Sequence, residues 1–220
     1  MFNKAKEWGW AGENPAEKIT AFHEEKRERF LDAEELKAFF DALKQELNVV
    51  IRDYILLSLL TGARRRNVQS MRWDEIDWNQ ATWIIPTEKA KSKKPNRVVL
   101  SPVALTVLET RKLASTSEWV FPGRGKSGHL EEPKKAWRRI VKAANITDLR
   151  LHDLRRTLGS WQAATGASLP IIGKSLGHTS LEATQIYARL DLDPVRASVN
   201  KATDAMLLAG GVAGLLGGGK

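Results

Sequence analysis

The chain has 220 residues, 42% of them hydrophobic, which fits one folded domain with a small extension and excludes a disordered chain. It has no cysteine, no apolar run long enough for a bilayer span and no apolar segment typical of a secretion signal. A net charge of +9 favours an anionic partner, which is nucleic acid, a membrane surface or an acidic protein, and a merely basic soluble protein explains the charge as well. With neither a membrane span nor a secretion signal predicted, we expect a cytoplasmic protein that meets nucleic acid, with no membrane partner.

The first part of the chain predicts two helices. Residues 30–47 carry apolar side chains at helical spacing, and Asp32 with Glu35 resembles a capping box at the start of this helix. Residues 49–62 are apolar almost all round, which is typical of a central helix. Gly62 is placed to end this second helix in a left-handed cap.

A change in hydrophobic period then predicts a small antiparallel sheet. Two short apolar runs flank Asn79–Gln80 and indicate a hairpin, and residues 96–101 predict a third strand after the Lys-rich turn 87–95. Further helices are predicted at about 102–114, 133–144, 152–165, 169–176, 180–188 and 194–208. Helices on both sides of one small sheet indicate the α+β class, mainly α-helical, with a three-stranded antiparallel sheet.

Polar residues near the ends of the predicted helices have two interpretations. His152 and Arg155 share a face at a helix start, where free N–H groups and the helix dipole attract anions. An imidazole and a guanidinium there suit a phosphate, although a surface helix with scattered charges explains the pattern as well. Arg64, just past Gly62, either binds the last helix carbonyls or holds two phosphate oxygens, a task for which Lys would not substitute.

A second group of polar residues follows the same logic. His178 precedes a predicted helix whose start carries a Thr179–Glu182 capping box, and Tyr187 lies nine residues further on. Either side chain fits a structural role, the tyrosine with its ring packed and its hydroxyl hydrogen-bonded at the core margin. The Lys-rich turn is either a solvated tip or the source of one lysine that donates a proton to a scissile phosphate.

Together these residues resemble the tyrosine recombinase (phage integrase) family. The resemblance covers roughly residues 28–190 and rests on "TGARRRNVQSMRW", the turn before "NRVVLSP", "LHDLRRT", "LGHTS" and "TQIYAR". It implies that the catalytic residues are Arg64, Lys91, His152, Arg155, His178 and Tyr187. Lys91 is reached by counting back from "VVL", and Lys89, Lys93 and Lys94 remain alternatives.

The resemblance implies a site-specific DNA recombinase that cleaves and rejoins DNA through a 3′-phosphotyrosyl intermediate. Tyr187 would attack the phosphate, with His152 as the base for its phenol. The two arginines would neutralise the non-bridging oxygens, His178 would donate a hydrogen bond to the same phosphate, and Lys91 would protonate the departing 5′ oxygen. Because protein cations fill the role that metals take elsewhere, we expect no cofactor and no metal.

The resemblance also implies a domain organisation and a set of partners. We expect a lead-in from an N-terminal DNA-binding domain in 1–27, the catalytic domain in 28–190, and a helix with a Gly-rich tail in 191–220. The expected partner is double-stranded DNA. The full-length protein is expected to act as a homotetramer on DNA and this fragment to be a monomer, with DNA-bending or directionality proteins as candidate accessory partners.

One departure from the family and two rival functions complete this picture. Many members carry an acidic residue where this chain has Asn67, whose amide orients neighbours without bringing a charge. A non-catalytic basic DNA-binding module would explain the net charge but not the ordered set of polar residues. A type IB topoisomerase-like enzyme would use nearly the same chemistry to relax supercoils.

Overall fold

The computed structural model describes residues 2–15, 17, 27–90, 94–178, 180–189, 199–203 and 205–206. The α-helices in chain order are α1 (Phe2–Glu7), α2 (Ala33–Lys44), α3 (Val49–Thr61), α4 (Arg65–Gln69), α5 (Pro102–Leu113), α6 (Lys134–Ala143), α7 (Asp153–Ala164) and α8 (Leu169–Leu176). The strands are β1 (Ile76–Asp77), β2 (Thr82–Ile85) and β3 (Asn96–Val99), and 3-10 helices span Trp73–Glu75, Leu181–Ala183 and Gln185–Arg189. In these ranges no helix is both long and apolar enough to cross a membrane.

Local capping signals explain where the first core helices begin and end. The Asp32 side chain accepts a hydrogen bond from the Glu35 N–H at 2.8 Å, and the Glu35 carboxylate accepts one from the Asp32 N–H, so the predicted capping box is confirmed. Asn48 caps α3 by accepting from the Ile51 N–H. Gly62 ends α3 with φ +57°, the left-handed conformation that the sequence predicted.

The three strands form an antiparallel sheet in the order β1-β2-β3. Trp83 on β2 faces Ile76 on one side and Val98 on the other, and its side chain is fully buried. The hairpin turn spans residues 78–81 and contains the predicted Asn79–Gln80 pair. The small antiparallel sheet within a mainly helical chain confirms the predicted fold class.

The helices bury two apolar clusters that meet around α7. The larger one includes Tyr54 and Leu57 of α3, Trp83 of the sheet and Leu154 of α7. The smaller one joins α7 and α8 to the segment that follows them, through Ala163, Ile172, Leu176 and Tyr187. The tyrosine singled out in the sequence is therefore a member of a core cluster.

Two predicted helices near the C-terminus differ from expectation. Residues 180–188 form two 3-10 helices instead of one α-helix, because the Tyr187 N–H bonds the Thr184 carbonyl three residues back and the Thr184 side chain turns inward. Residues 199–203 and 205–206 are helical, while the rest of the helix predicted at 194–208 lies outside the described residues. Thr179, half of the expected capping box, lies outside them as well.

Residues 27–31, called the strap below, lie along α7. Arg27 reaches the buried carboxylate of Asp153 at 2.8 Å, and the Leu31 N–H donates to the Thr157 hydroxyl at 3.0 Å. The indole N–H of Trp161 donates to the Leu31 carbonyl at 3.0 Å. These bonds hold the strap along nearly the whole of α7, from its first residue to Trp161.

The Asp153 carboxylate is the charged centre of this contact. It is fully buried and accepts from the Arg150 N–H at 2.8 Å and from Arg156 at 2.7 Å, besides Arg27. Burial by itself raises the pKa of this carboxyl, but the hydrogen bonds from Arg27, Arg150 and Arg156 prevail and the net pKa lies below its ordinary value. Asp153 therefore stays ionised at neutral pH.

The substitution Asp153→Asn removes this charge at nearly constant volume. We expect it to lower the free energy of unfolding at pH 7 by about 1.5–3 kcal/mol, the range for hydrogen bonds to a charged group, because Arg27 and Arg156 are partly exposed and only the carboxylate is buried. Since the folded-state pKa is depressed, the stabilisation is complete above the unfolded value of about 3.9 and is lost as pH falls through the folded-state pKa. Urea unfolding of both proteins between pH 7 and pH 3 measures the difference.

The matched control is Asp148→Asn, which removes the other carboxylate bound to Arg27. This side chain is 69% exposed and its backbone φ of +46° suits asparagine, so we expect a much smaller loss than for Asp153→Asn. Equal losses for both variants, or a loss for Asp153→Asn that does not depend on pH, would contradict the assignment.

Candidate active site

Two arginines bind the carbonyl groups at the ends of two helices. Arg155 Nη1 donates to the Gly62 carbonyl at 2.7 Å, and Arg64 Nη2 donates to the Gly177 carbonyl at 3.4 Å. Both glycines are left-handed caps, with φ +57° at the end of α3 and φ +64° at the end of α8. Because helix C-termini carry partial negative charge, each helix end stabilises the guanidinium that it contacts.

Arg155 is 6% exposed, and within the described ranges it forms no ion pair with a carboxylate. Burial, followed by the charge of Arg64, lowers the pKa of Arg155 to about 10. The described contacts use one of the five N–H donors of the guanidinium fork. A bound anion would satisfy the others and offset the cost of burying the charge.

Among three successive arginines, Arg64 is the one whose charge acts on the pKa of the buried Arg155. It is half-buried at the N-terminal edge of α4, whereas Arg65 and Arg66 are exposed. The charge of Arg64 reaches Arg155 and His178, since it lowers the pKa of both side chains. The two guanidinium groups therefore act on the same small region.

Tyr187 packs its ring against His178 and α7. The two rings are nearly parallel, with an interplanar angle of 7° and centroids 6.4 Å apart. Tyr187 is 3% exposed, and a Cβ placed on Gly159 would lie 2.8 Å from its hydroxyl oxygen. Burial raises the pKa of the phenol, while the charges of Arg155 and Arg156 oppose that rise. The phenol is therefore neutral at rest and close to positive charge.

His178 is also neutral near pH 7. Burial, followed by the charges of Arg155, Arg64 and His152, lowers its pKa to about 4. Its Nδ1 lies 2.8 Å from the Thr184 hydroxyl oxygen. A neutral imidazole so placed can donate a hydrogen bond from Nε2, the nitrogen that Thr184 does not contact.

His152 occupies the N-cap position of α7 and makes no capping hydrogen bond. The residue is exposed by area, yet desolvation of the ring by neighbouring atoms is the largest influence on its pKa, followed by the charges of Arg156 and Arg155. All three lower the pKa below its ordinary value. His152 is therefore an unprotonated base at neutral pH, within electrostatic reach of the buried arginine.

The structure brings together five of the predicted site residues and describes no part of the sixth. The five are Arg64, His152, Arg155, His178 and Tyr187. Lys91 lies outside the described residues, as does Lys93. Lys89 pairs with Glu75 and donates to the Ser70 carbonyl at 2.6 Å.

The strand that follows the Lys-rich turn begins close to the site. Asn96, the first residue of β3 after the turn, has its side chain 2.6 Å from the position of a Cβ on Gly177. Gly177 directly precedes His178 and accepts from Arg64. The end of the turn therefore lies at the edge of the arginine and histidine cluster.

Sequence reasoning missed two residues that shape this cluster. Gly159 lies inside α7, where alanine would favour the helix, and a glycine in a helical pattern is a signal of close approach. Thr184 binds His178 from a segment predicted to be an α-helix, and no local pattern marks that contact.

Comparisons with known proteins agree with this geometry. Residues 29–193 match the model of the phage integrase family. The integrase of Salmonella phage P22 is 30% identical over 198 residues, which cover 84% of this chain and 49% of that protein. This chain therefore spans about half the length of that relative.

Solved structures show the same fold at low identity. The catalytic domain of bacteriophage HP1 integrase superposes with a TM-score of 0.60 at 18% identity, over 78% of this chain and 93% of that one. A Tn1549 transposon integrase in complex with transposon right end DNA gives a TM-score of 0.73 at 14% identity, over 92% of this chain and 75% of that one.

The close approach of Gly159 to Tyr187 predicts a reversal of sign in a double-mutant cycle. In the parent protein, the methyl group of Gly159→Ala would clash with the ring of Tyr187, so the change should lower the free energy of unfolding by about 1–3 kcal/mol. In a Tyr187→Ala background the clash is absent, and Gly159→Ala should raise the free energy of unfolding by about 1 kcal/mol because alanine has the higher helix propensity. Urea unfolding of the four proteins measures both effects. Equal effects of Gly159→Ala in both backgrounds would show that the Tyr187 ring does not pack against Gly159.

Proposed function

The chain belongs to the phage integrase family, and on this premise we propose that it is the catalytic domain of a site-specific DNA recombinase. The observation that carries the proposal is the meeting of Arg64, Arg155, His178 and Tyr187 in one small region. A buried guanidinium without a carboxylate suits a phosphodiester, and a phenol beside it suits attack on that phosphorus.

In the proposed reaction, the Tyr187 oxygen forms a bond to a DNA phosphorus as the bond to the 5′ oxygen breaks. The products are a 3′-phosphotyrosyl link and a free 5′-hydroxyl, and the reverse attack by a 5′-hydroxyl rejoins the strand. His152, unprotonated at neutral pH, accepts the phenolic proton. The two arginines hold the non-bridging oxygens, and Lys91 supplies the proton to the 5′ oxygen.

Because the phenol of Tyr187 is buried, nearby positive charge is needed to stabilise the phenolate that attacks the phosphorus. Burial raises the pKa of Tyr187, so removing its proton at neutral pH is unfavourable in the resting site. Arg155 and Arg156 oppose that rise, and the phenolate gains their full attraction as it forms. The arginines therefore assist both the nucleophile and the phosphate.

We assign the catalytic unit to residues 28–190, with 1–27 as the lead-in and 191–220 as a C-terminal extension. The family match to residues 29–193 and the 93% coverage of the HP1 catalytic domain support this division. The partner is double-stranded DNA, in keeping with the net charge of +9 and with the DNA-bound Tn1549 integrase. In the full-length protein, four copies would assemble on DNA.

The burial of Arg155 favours this function over a non-catalytic DNA-binding module. Backbone contacts by such a module use exposed lysines and arginines, whereas Arg155 is 6% exposed. A module would also have no need for a tyrosine and two neutral histidines around that group. Relaxation of supercoils without strand exchange by the full-length protein would instead favour a type IB topoisomerase-like enzyme.

The chain has two tyrosines, which makes the nucleophile directly testable. The protein is incubated at low salt with nicked duplexes of randomised sequence, which trap cleavage because the short 5′-hydroxyl product diffuses away. We expect a protein–DNA band that survives denaturation, and we expect Tyr187→Phe to abolish it while DNA binding is kept. Tyr54→Phe is the matched control, since Tyr54 is fully buried in the main core against Phe121.

An adduct that survives Tyr187→Phe, or its absence from the parent protein on every duplex in the pool, would contradict the proposal. Peptide mapping of the adduct gives an independent result, because the phosphate should reside on the peptide that carries Tyr187.

The choice of lysine is tested by three single substitutions to alanine, at Lys91, Lys93 and Lys94. We expect Lys91→Ala to lower the single-turnover cleavage rate by roughly 100-fold or more, the usual contribution of a general acid. Lys93→Ala and Lys94→Ala should change the rate by less than about threefold. A large loss confined to either of those two positions would move the role of general acid to that lysine.

A further inference from the structure

Thr184 links the two groups that the proposed chemistry needs side by side. It lies between the two 3-10 helices and is 1% exposed. Its hydroxyl oxygen is 2.8 Å from His178 Nδ1, and its carbonyl accepts the Tyr187 N–H at 3.0 Å. One residue therefore sets the position of the histidine through its side chain and of the tyrosine through its backbone.

Helix α8 holds both partners of this contact in place. The carbonyl of Gly173 accepts the His178 N–H at 2.8 Å. A Cβ on Gly173 would lie 3.0 Å from the Thr184 hydroxyl oxygen, so the glycine leaves the space that this side chain occupies. The surface of α8 that faces the Thr184 hydroxyl therefore has no side chain at residue 173.

The direction of the hydrogen bond follows from the number of protons. Within the described ranges, the Thr184 hydroxyl has one hydrogen-bond partner, which is His178 Nδ1. If Nδ1 carried a proton, the hydroxyl would accept it and its own O–H would remain buried without an acceptor, which is unfavourable. When the hydroxyl donates to Nδ1, both groups are satisfied, and the single proton of a neutral imidazole lies on Nε2.

We propose that Thr184 is a positioning residue that holds neutral His178 in the tautomer with its proton on Nε2, ready to donate to a phosphate oxygen. This inference rests on the proposed recombinase function for the identity of the acceptor. Thr184 itself contacts His178 and the backbone of Tyr187, and acts on the reaction through them.

The charges around His178 make the tautomer matter. A doubly protonated imidazole donates from both nitrogens, whatever its neighbours are. The groups that face His178 are the cations Arg155 and Arg64, together with His152 and the phenol of Tyr187. Their influence and the burial keep the pKa of His178 at about 4, so at neutral pH the ring donates from one nitrogen alone.

The test compares Thr184→Val, which removes the hydroxyl at nearly constant shape, with Thr184→Ser, which keeps it. In the free protein at pH 7, imidazole ¹⁵N shifts should show His178 with a bare Nδ1 and a protonated Nε2. Thr184→Ser should give the same spectrum, and Thr184→Val should give a mixture of tautomers. A proton on Nδ1 of the parent protein would overturn the inference.

Single-turnover cleavage of the nicked duplexes supplies the second measurement. We expect Thr184→Val to lower the rate by about 10- to 100-fold, the range for groups that orient a functional side chain. Thr184→Ser should stay within about threefold of the parent, with DNA binding kept in both variants. In a His178→Gln background Thr184→Val should cause no further loss, whereas a merely structural threonine would slow both backgrounds equally and overturn the inference.

The two measurements separate this inference from the proposed function. The ¹⁵N spectra need no DNA, so they decide the tautomer even in a protein that cleaves nothing. Absence of any adduct from the parent protein counts against the recombinase. A mixed tautomer in Thr184→Val together with an unchanged cleavage rate counts against Thr184 alone.

Discussion

The burial of one guanidinium group, with no carboxylate partner in the part of the chain that the structure describes, is the constraint on which the site depends. Arg155 lies on α7 in the interior, and its charge is stabilised by the carbonyl of a left-handed glycine at the end of α3. Arg64 uses the corresponding glycine at the end of α8. Partial charges of helix ends offset burial without neutralising it, so the pair retains its attraction for an anion.

Burial and these charges together set the protonation of the neighbouring groups. Burial is the largest influence that lowers the pKa of His178 and His152, and the charges of Arg155 and Arg64 lower both further. At Tyr187 burial raises the pKa, and the charge of Arg155 opposes that rise. An incoming phosphate would change all of these at once, because it removes the excess positive charge. The strap stabilises the helix that carries Arg155, because residues 27–31 form hydrogen bonds along α7.

The parts of the fold that could be predicted from the sequence are those with local causes. The Asp32–Glu35 box, the cap at Gly62 and the alternation around the sheet depend on neighbouring residues. The grouping of five of the predicted site residues followed from motif order, while the catalytic roles of all six, including Lys91 outside the described residues, stay predictions. The bond from Arg27 to Asp153, 126 positions apart, and the inward turn of Thr184 depend on tertiary packing, which no local pattern encodes.

The central claim is that Arg64, Arg155, His178 and Tyr187 surround one anion site. Tungstate has the shape and charge of a phosphate and a strong anomalous signal, so crystals grown with it would locate the site directly. We expect the strongest peak between the two guanidinium groups, within hydrogen-bond distance of His178 Nε2. A strongest peak on exposed arginines such as Arg65 and Arg66, with none between Arg64 and Arg155, would contradict it.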